Sequence, residues 1–410
     1  MDFYDYVRPI TGDTILFGLA IFFFCLWTFL WSFHIGALFY GKYKLYRKIP
    51  AVLPDSLPGV SILKPLTGVD AHLYDNLETY FVLNYPTYEL LFCIQDESDP
   101  AQMVVRSLIE KYPKVDARIL QGGKKVGINP KINNMMSGYE VCKYDLFMIS
   151  DCNIKMKPDT LLDMVLHLKD DVGEIHQIPF TCDREDRLGF SSILEKVYFG
   201  TVHAKQYLFL NALGVNCTTG MSSMMRKNVL EEAGGLKAFA KYLAEDYFIA
   251  QAFLDRGWKV QISSFPALQN AGTGSVSGFQ NRLVRWGKLR FAMCPANRIM
   301  EPFSDCLVNG INGAWSAAVL FNISGLAFFF VHLLTWFLLD YLIFLIMQNG
   351  PMTFSKFEFV VAWMFREITS IFILLKAEVS TVVQWRAKKF RLRYGGVVEE
   401  MREGPKQFVL

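Results

Sequence analysis

No Cys-x-x-Cys pair occurs among the eight cysteines of this 410-residue chain, and no zinc-type spacing joins them to its six histidines. A small disulfide scaffold is excluded. The scattered thiols read as buried, reduced side chains that fit a cytosolic domain. Charge is scarce too. Lys and Arg number 42 against 39 Asp and Glu, a net of +3, so no basic excess exists for a nucleic-acid face. Charged residues are 20% of the chain, below the roughly 25% of soluble domains. No repeat at solenoid periods and no low-complexity segment interrupts it. What the chain has is apolar surface: 52% hydrophobic residues and 15% aromatics, with 35 phenylalanines. That is too apolar for an ordinary soluble protein and too polar for a bundle lying wholly in a bilayer. It predicts a folded domain with added membrane segments.

The first apolar run, Thr14 to Tyr40, holds no Lys, Arg, Asp or Glu and exceeds the ~20 residues needed to cross a bilayer. It is too long for a cleaved signal, its leading stretch is acidic (Asp2, Asp5, Asp13), and no small-x-small site follows. The expectation is a permanent anchor. Arg8 precedes it, whereas Lys42, Lys44, Arg47 and Lys48 follow, so the positive-inside rule puts residues 1–13 in the lumen and everything after Lys42 in the cytosol. From Ile49 to Pro302 the pattern is globular. Val60–Leu63, Leu90–Ile94 and Leu146–Ile149 read as buried strands, and Pro100–Tyr112, Asp159–Leu168 and Lys227–Glu232 as helices. Alternating strands and helices predict an α/β fold with a mostly parallel sheet. Residues 303–348 are long enough for two joined spans, with His332 and Asp340 the titratable residues of Leu307–Gln348. Phe357–Leu375 carries Arg366 and Glu367 in its middle. It reads as an interfacial helix, or alternatively as a third span with an internal ion pair. Arg386, Lys388, Lys389, Arg391 and Arg393 then give 349–410 a basic cytosolic tail, which calls for an even number of spans after the domain.

Several charged sites punctuate the domain. Asp96 and Asp151 each stand where an apolar strand ends, the edge at which open α/β sheets bind ligands. An Asp there can accept the N3–H of a uracil; the alternative for Asp96 is a turn residue, with Asp99-Pro100 the better helix cap. Asp151 opens Asp-Cys-Asn153, a relative of the Asp-x-Asp that holds Mg²⁺ or Mn²⁺ against a diphosphate, although Asn153 offers only a neutral oxygen. The alternative is an Asx turn. Glu245-Asp246 opens a helical stretch to Leu254: either charge complementing a helix dipole, or a general base in Asp246. Arg282 and Arg285 share a helix face beside Trp286 and suit a pyrophosphate or, alternatively, lipid headgroups. Gly122–Asn134 combines glycines with Lys124, Lys125 and Lys131 as a phosphate-approaching loop or a plain surface turn; it is no Walker A loop.

Asp96, Asp151, Asp246 and Arg282-x-x-Arg285-Trp286, in that order, resemble the signature of the ceramide glucosyltransferase family, three aspartates followed by (Arg/Gln)-x-x-Arg-Trp. Ile62–Asp70, Gly122–Asn134, Glu195–Thr201, Thr219–Ser222 and Ala244–Phe248 look like that family as well, so the resemblance covers nearly the whole chain. It implies a GT-A (Rossmann-like) catalytic domain at 41–302, an anchor at 14–40, and inverting transfer of glucose from UDP-glucose to the primary hydroxyl of ceramide on the cytosolic face of the Golgi membrane. Carried over, Asp96 would contact uracil, Lys131 and Asp151 the ribose–diphosphate, and Arg282, Arg285 and Trp286 the pyrophosphate and acceptor mouth. Asp246 would be the base. His203 matches an acceptor-region histidine; the alternative is a core or interfacial histidine. Asp151 and Asn153 would hold the metal, weakly because of Asn153. The partners implied are UDP-glucose, ceramide in the bilayer and membrane lipids, without nucleic acid; oligomeric state stays open, a homo-oligomer included.

Residues 193–213 mix aromatics with Glu195, Lys196, His203 and Lys205, and are expected to lie at the membrane interface near the acceptor, or else to form an internal helix. The rival functions are a processive polysaccharide synthase of the same fold, which would carry Gln where Arg282 stands, and an inactive lipid-binding scaffold. Asn216-Cys-Thr218 is a glycosylation sequon that a cytosolic domain would leave unmodified.

Overall fold

The computed structural model describes residues 12–183, 189–272, 274–385 and 388–401. Its centre is a seven-stranded sheet. The strands in chain order are β1 (Val60–Leu66), β2 (Tyr88–Ile94), β3 (Asp116–Gln121), β4 (Leu146–Ser150), β5 (Ile154–Lys155), β6 (Val172–His176), β7 (Pro179–Thr181), β8 (Ser222–Arg226), β9 (Lys259–Ile262) and β10 (Ala267–Gln269). The main sheet runs β3-β2-β1-β4-β8-β6-β9, with β8 alone antiparallel to its neighbours; β5-β10-β7 form a small second sheet. Strands β1, β2 and β4 are apolar almost throughout because both faces are covered. Pro65, which cannot donate to a ladder, stands past the last β1–β4 pair at Leu63 and Ile149. The expected α/β class, with a mostly parallel, Rossmann-like sheet, is the one found. Each expected strand and helix is present within a few residues: Ala101–Lys111, Thr160–His167 and Lys227–Glu232 are the helices. The chain leaves β1 toward β2 on one side and reaches β4 on the other, so the switch point falls between β1 and β4.

Two helices are long and apolar enough to cross a membrane by length and composition, Gly12–Lys44 and Gly325–Gln348. The two closely joined helices expected in 303–348 are present, and they differ in length. Cys306–Phe321 has 16 residues, about 24 Å at 1.5 Å per residue. It turns at Asn322 (φ 55°) into Gly325–Gln348 as a hairpin. The anchor packs along this hairpin: Phe24 meets Phe321, Trp27 meets Phe328, Trp31 meets Trp336 and Gly41 approaches Ile346. Gly313 is required there, since a Cβ would lie 2.3 Å from the Trp27 ring.

Two expectations change. Residues 193–213 are not a surface segment. They form Phe190–Tyr198, a π-helical turn Phe199–His203 and Ala204–Ala212, enclosed by the anchor, the hairpin and neighbouring helices. Their charges pair internally: Glu195 with Arg282, Lys196 with Asp183, Lys205 with Asp340 at 3.8 Å. The helix Lys356–Glu378 starts at a Ser355–Glu358 capping box and exposes Phe357, Met364, Ile368, Phe372 and Leu375 on one stripe. Arg366 and Glu367 point the other way and are buried. The region after it is no loose tail. Strands β11 (Val382–Trp385), β12 (Lys388–Leu392) and β13 (Val398–Glu400) form an antiparallel sheet on the domain, with Val383, Phe390, Leu392 and Val398 packed around Leu243. Arg8, with most of 1–13, and Arg386 lie outside the described residues.

Candidate active site

The site begins with a helix start. Asn129 caps Pro130–Glu140, its Oδ1 accepting the Lys131 and Ile132 N–H groups at 2.8 and 3.2 Å, with Pro130 in the first turn. The Asn129 amide then donates to Glu245 Oε2 (2.7 Å) and to the Tyr242 carbonyl (2.8 Å), tying the loop before the helix to the start of Glu245–Leu254. Gly127 lies against Ala240, where a Cβ would come within 2.4 Å. The stretch Gly122–Asn134 is therefore docked on residues 240–245, and Lys131 is the residue it delivers to the site. Lys124 is instead paired with Glu140.

Lys131 stands among three carboxylates. Its Nζ is 2.8 Å from Asp151 Oδ1 and 3.6 Å from Glu245 Oε1, and it donates to the Gly220 carbonyl at 2.8 Å. Burial opposes its charge, but Asp151 and Glu245 outweigh it and hold the ammonium above the ordinary lysine range. Asp246 sits one residue on. Its Oδ2 accepts the Gly220 N–H at 2.6 Å, and its Oδ1 accepts the Tyr247 N–H at 2.9 Å. Gly220 thus touches Asp246 and Lys131 together; a Cβ there would lie 3.3 Å from both. Burial raises the Asp246 pKa, against the opposing pull of Lys131 and two N–H donors. Burial likewise pushes Glu245 up to about 7.

Asp151 follows β4 directly, and its carbonyl accepts from Lys64 Nζ at 2.7 Å. Lys64 is fully buried in β1, lies 3.8 Å from the Tyr80 ring centre, and is lowered by burial to about 7. Asp96 is exposed beyond β2, two strands away from β4 and Asp151. It accepts the Ser98 N–H and hydroxyl at 2.9 and 2.8 Å, which lower its pKa. Asp99, two residues before the helix Ala101–Lys111, accepts the Ala101 N–H at 2.9 Å. Asn153 is fixed by its carbonyl, which accepts the Asn270 N–H at 2.8 Å.

Among the described residues no three His, Cys, Asp or Glu side chains converge on a metal site. Lys131 occupies one oxygen of Asp151, and the carboxylate is about one-third exposed, so its second oxygen can face a ligand. These residues fit a divalent cation whose remaining ligands come from a bound diphosphate and water.

Arg282, Arg285 and Trp286 lie on the helix Val276–Met293. Arg282 is ion-paired to Glu195 and lies 5.2 Å from the Trp286 ring centre. Arg285 makes no hydrogen bond or ion pair among the described residues. Trp286 packs against Phe199 and His203. His203 is stacked on Tyr207 at 4.4 Å, and burial lowers its pKa to about 3, so it is neutral. Tyr207 donates to the Thr218 carbonyl and interacts electrostatically with Asp246, which connects this aromatic group to the carboxylate site. Asp151, Lys131 and Asp246 are thus brought together; Asp96 stands apart on the same sheet edge, and Arg282 is committed elsewhere. The sequence reading missed Asn129, Gly220 and Lys64. Asn-Pro is a readable helix start, and a lysine inside the apolar run Ser61–Leu66 is a readable anomaly; nothing local marks Gly220.

Carboxylates and a lysine at a strand edge, beside membrane helices, define a transferase that acts on a nucleotide-linked group next to a bilayer. The chain belongs to glycosyl transferase family 21, whose model matches residues 29–398. It is 45% identical over 380 residues to ceramide glucosyltransferase 1 of Caenorhabditis elegans, covering 92% of this chain and 80% of that one. Ceramide glucosyltransferase 3 of the same organism is 44% identical, covering 92% and 81%. Among solved structures, a mannosyltransferase of Pyrobaculum calidifontis in complex with GDP-Man and Mn²⁺ gives a TM-score of 0.48 at 15% identity, over 87% of this chain and 99% of that chain. The protein is a hexosyltransferase with a nucleotide-sugar donor and a lipid acceptor.

Proposed function

We propose that this enzyme transfers glucose from UDP-glucose to the primary hydroxyl of ceramide with inversion, at the cytosolic face of the Golgi membrane, as a multi-pass protein. The observation that carries the reading is Asp246, a carboxylate with a raised pKa beside Lys131 and Asp151 at the switch-point edge of the sheet. Asp246 takes the proton of the ceramide hydroxyl as its oxygen attacks the anomeric carbon from the face opposite UDP. The bond to the diphosphate oxygen breaks in the same step, and the electron pair leaves with UDP. Lys131 receives the charge that develops on the diphosphate, and Arg285, without an acidic partner, is available to it. Asp96 accepts the uracil N3–H. Asp151, through the oxygen not paired with Lys131, and Asn153 would hold a Mg²⁺ or Mn²⁺ ion, which would help to neutralise the leaving group. Arg282, fixed by Glu195, holds Trp286 at the mouth between donor and acceptor, and neutral His203 lines the acceptor side.

The test is a sugar-nucleotide panel with the purified protein in lipid nanodiscs, measuring UDP release with and without ceramide. UDP-glucose with ceramide should give glucosylceramide and release UDP. Release without ceramide would indicate a polymer synthase, and no release with any donor an inactive scaffold; either defeats the reading. The family membership favours neither rival. Exhaustive chelation should lower the rate, with recovery on adding Mg²⁺ or Mn²⁺; an unchanged rate rejects the metal.

A further inference from the structure

The mechanism leaves unused a cluster of charged side chains buried where the membrane helices meet the domain. Asp340, fully buried in Gly325–Gln348, lies 3.2 Å from His34 of the anchor and 3.0 Å from Arg366 of Lys356–Glu378, and accepts the Trp363 N–H at 2.8 Å. Lys205 approaches it at 3.8 Å, and Glu367 is paired with Arg366. Apolar side chains would hold these helices together without removing so many charges from water, so ionisable residues at this depth mark a task beyond packing.

The free arm of Arg366 identifies the task. Its Nη1 donates to Thr201 Oγ1 at 2.6 Å, and the same hydroxyl donates to the Val197 carbonyl at 2.6 Å. Thr201 is the middle residue of the π-helical turn Phe199–His203, a departure from α geometry that recurs at functional positions. Gly200 lets Phe344 press against this turn, since a Cβ there would lie 2.5 Å from that ring. Asp340 grips the next residues through Lys205. The turn is thus fixed on both sides of His203, whose ring stacks on Tyr207 and faces Trp286.

We infer that Arg366 is a positioning residue for the lipid acceptor: through Thr201 it sets the turn that places His203 and, next to it, the hydroxyl-bearing end of the lipid. This rests on the reading of His203 and Asp246 given above. Arg366 contacts Thr201, Asp340 and Glu367 and none of Lys131, Asp151 and Asp246, so its loss should act on the acceptor alone.

The experiment uses the full chain in nanodiscs, with initial rates measured separately against ceramide and UDP-glucose. Thr201→Val keeps the side-chain shape and removes the hydroxyl; Thr201→Ser keeps the hydroxyl. Thr201→Val should raise the ceramide KM about three- to tenfold, the equilibrium worth of one buried hydrogen bond. The UDP-glucose KM should stay unchanged, and Thr201→Ser should match the wild type. An unchanged ceramide KM, an equal rise in both KM values, or a Ser variant as impaired as the Val variant overturns the inference. If the Val variant does not fold, Arg366→Lys is read by the same split, because it keeps the charge beside Asp340 and loses the fork. A wild-type enzyme that prefers another lipid would defeat the ceramide reading, while the KM split on that lipid still decides this one.

Discussion

Asp246 combines two demands that conflict in water. As the proposed base it must be ionised to accept a proton, yet basic enough to take one from an alcohol. Burial supplies the basicity, and Lys131 with the Gly220 and Tyr247 N–H groups preserves the ionised form. Asp246→Asn should lower kcat by about 10²–10⁴ with little change in the KM for UDP-glucose, measured as steady-state UDP release. The pH dependence follows from the sign of the shift. A carboxylate whose pKa is raised loses its basic form at a higher pH than usual, so kcat should fall on the acid side starting above the ordinary carboxylate range. Lys131→Met removes the charge opposing that shift and should move the acid limb of kcat to still higher pH. A limb that stays in place in the Met variant would remove Lys131 from this role. At this scale the sequence was informative where chemistry is local: Asp96 and Asp151 were legible because an apolar run stops at each. Gly220 was not, because what gives it meaning is Asp246, 26 residues away.

At the scale of elements, the strands and helices of the sheet were legible from apolar runs bounded by Pro, Gly and Asp. The residues 193–213 were not, since the partners that neutralise their charges lie on elements far along the chain: Arg282, Asp183 and Asp340. Their mixed composition fits an exposed interface until those partners are known. The C-terminal sheet was hidden for the opposite reason. Its lysines and arginines obscure short strands whose apolar positions, Val383, Phe390, Leu392 and Val398, alternate with charges. This sheet bears on catalysis. Val397 bridges Tyr242, the Val398 N–H bonds the Lys241 carbonyl, and Gly396 lies against Phe248, all within a few residues of Asp246. Deleting residues 381–401 should therefore lower kcat at least tenfold by loosening the start of Glu245–Leu254. Activity of the truncated protein, compared with its binding of UDP, checks this; full activity would detach the sheet from the site. A milder change is Ser355→Ala, which removes a capping box and should cost about 1 kcal/mol, read as a lower Tm in detergent.

For the whole molecule, the structure sets how orientation is tested. The amide of Asn216 donates to the Tyr247 carbonyl at 2.9 Å and to Gln251 at 3.2 Å, so its side chain is engaged whichever compartment the domain occupies. An unmodified Asn216 therefore discriminates less than the sequon suggests. A second sequon, Asn322-Ile-Ser324, lies in the tight turn of the hairpin and was passed over in the sequence. A flexible insert bearing an acceptor Asn-x-Thr gives a cleaner answer. Placed after Asn322 it should be glycosylated, and placed in the exposed segment 51–57 it should not, as a mobility shift sensitive to endoglycosidase. The reverse pattern would invert the topology.

The contact between His34 and Asp340 bears on how the protein can be dismantled. A transferase tied to its membrane by a simple stalk can be shed by one proteolytic cut. Here the anchor contributes a wall of the folded body, with Gly36 and Gly41 pressed onto Phe209 and Leu208 of the domain. Cleavage between Lys48 and β1 should release no soluble catalyst, because the severed helix stays packed against the domain.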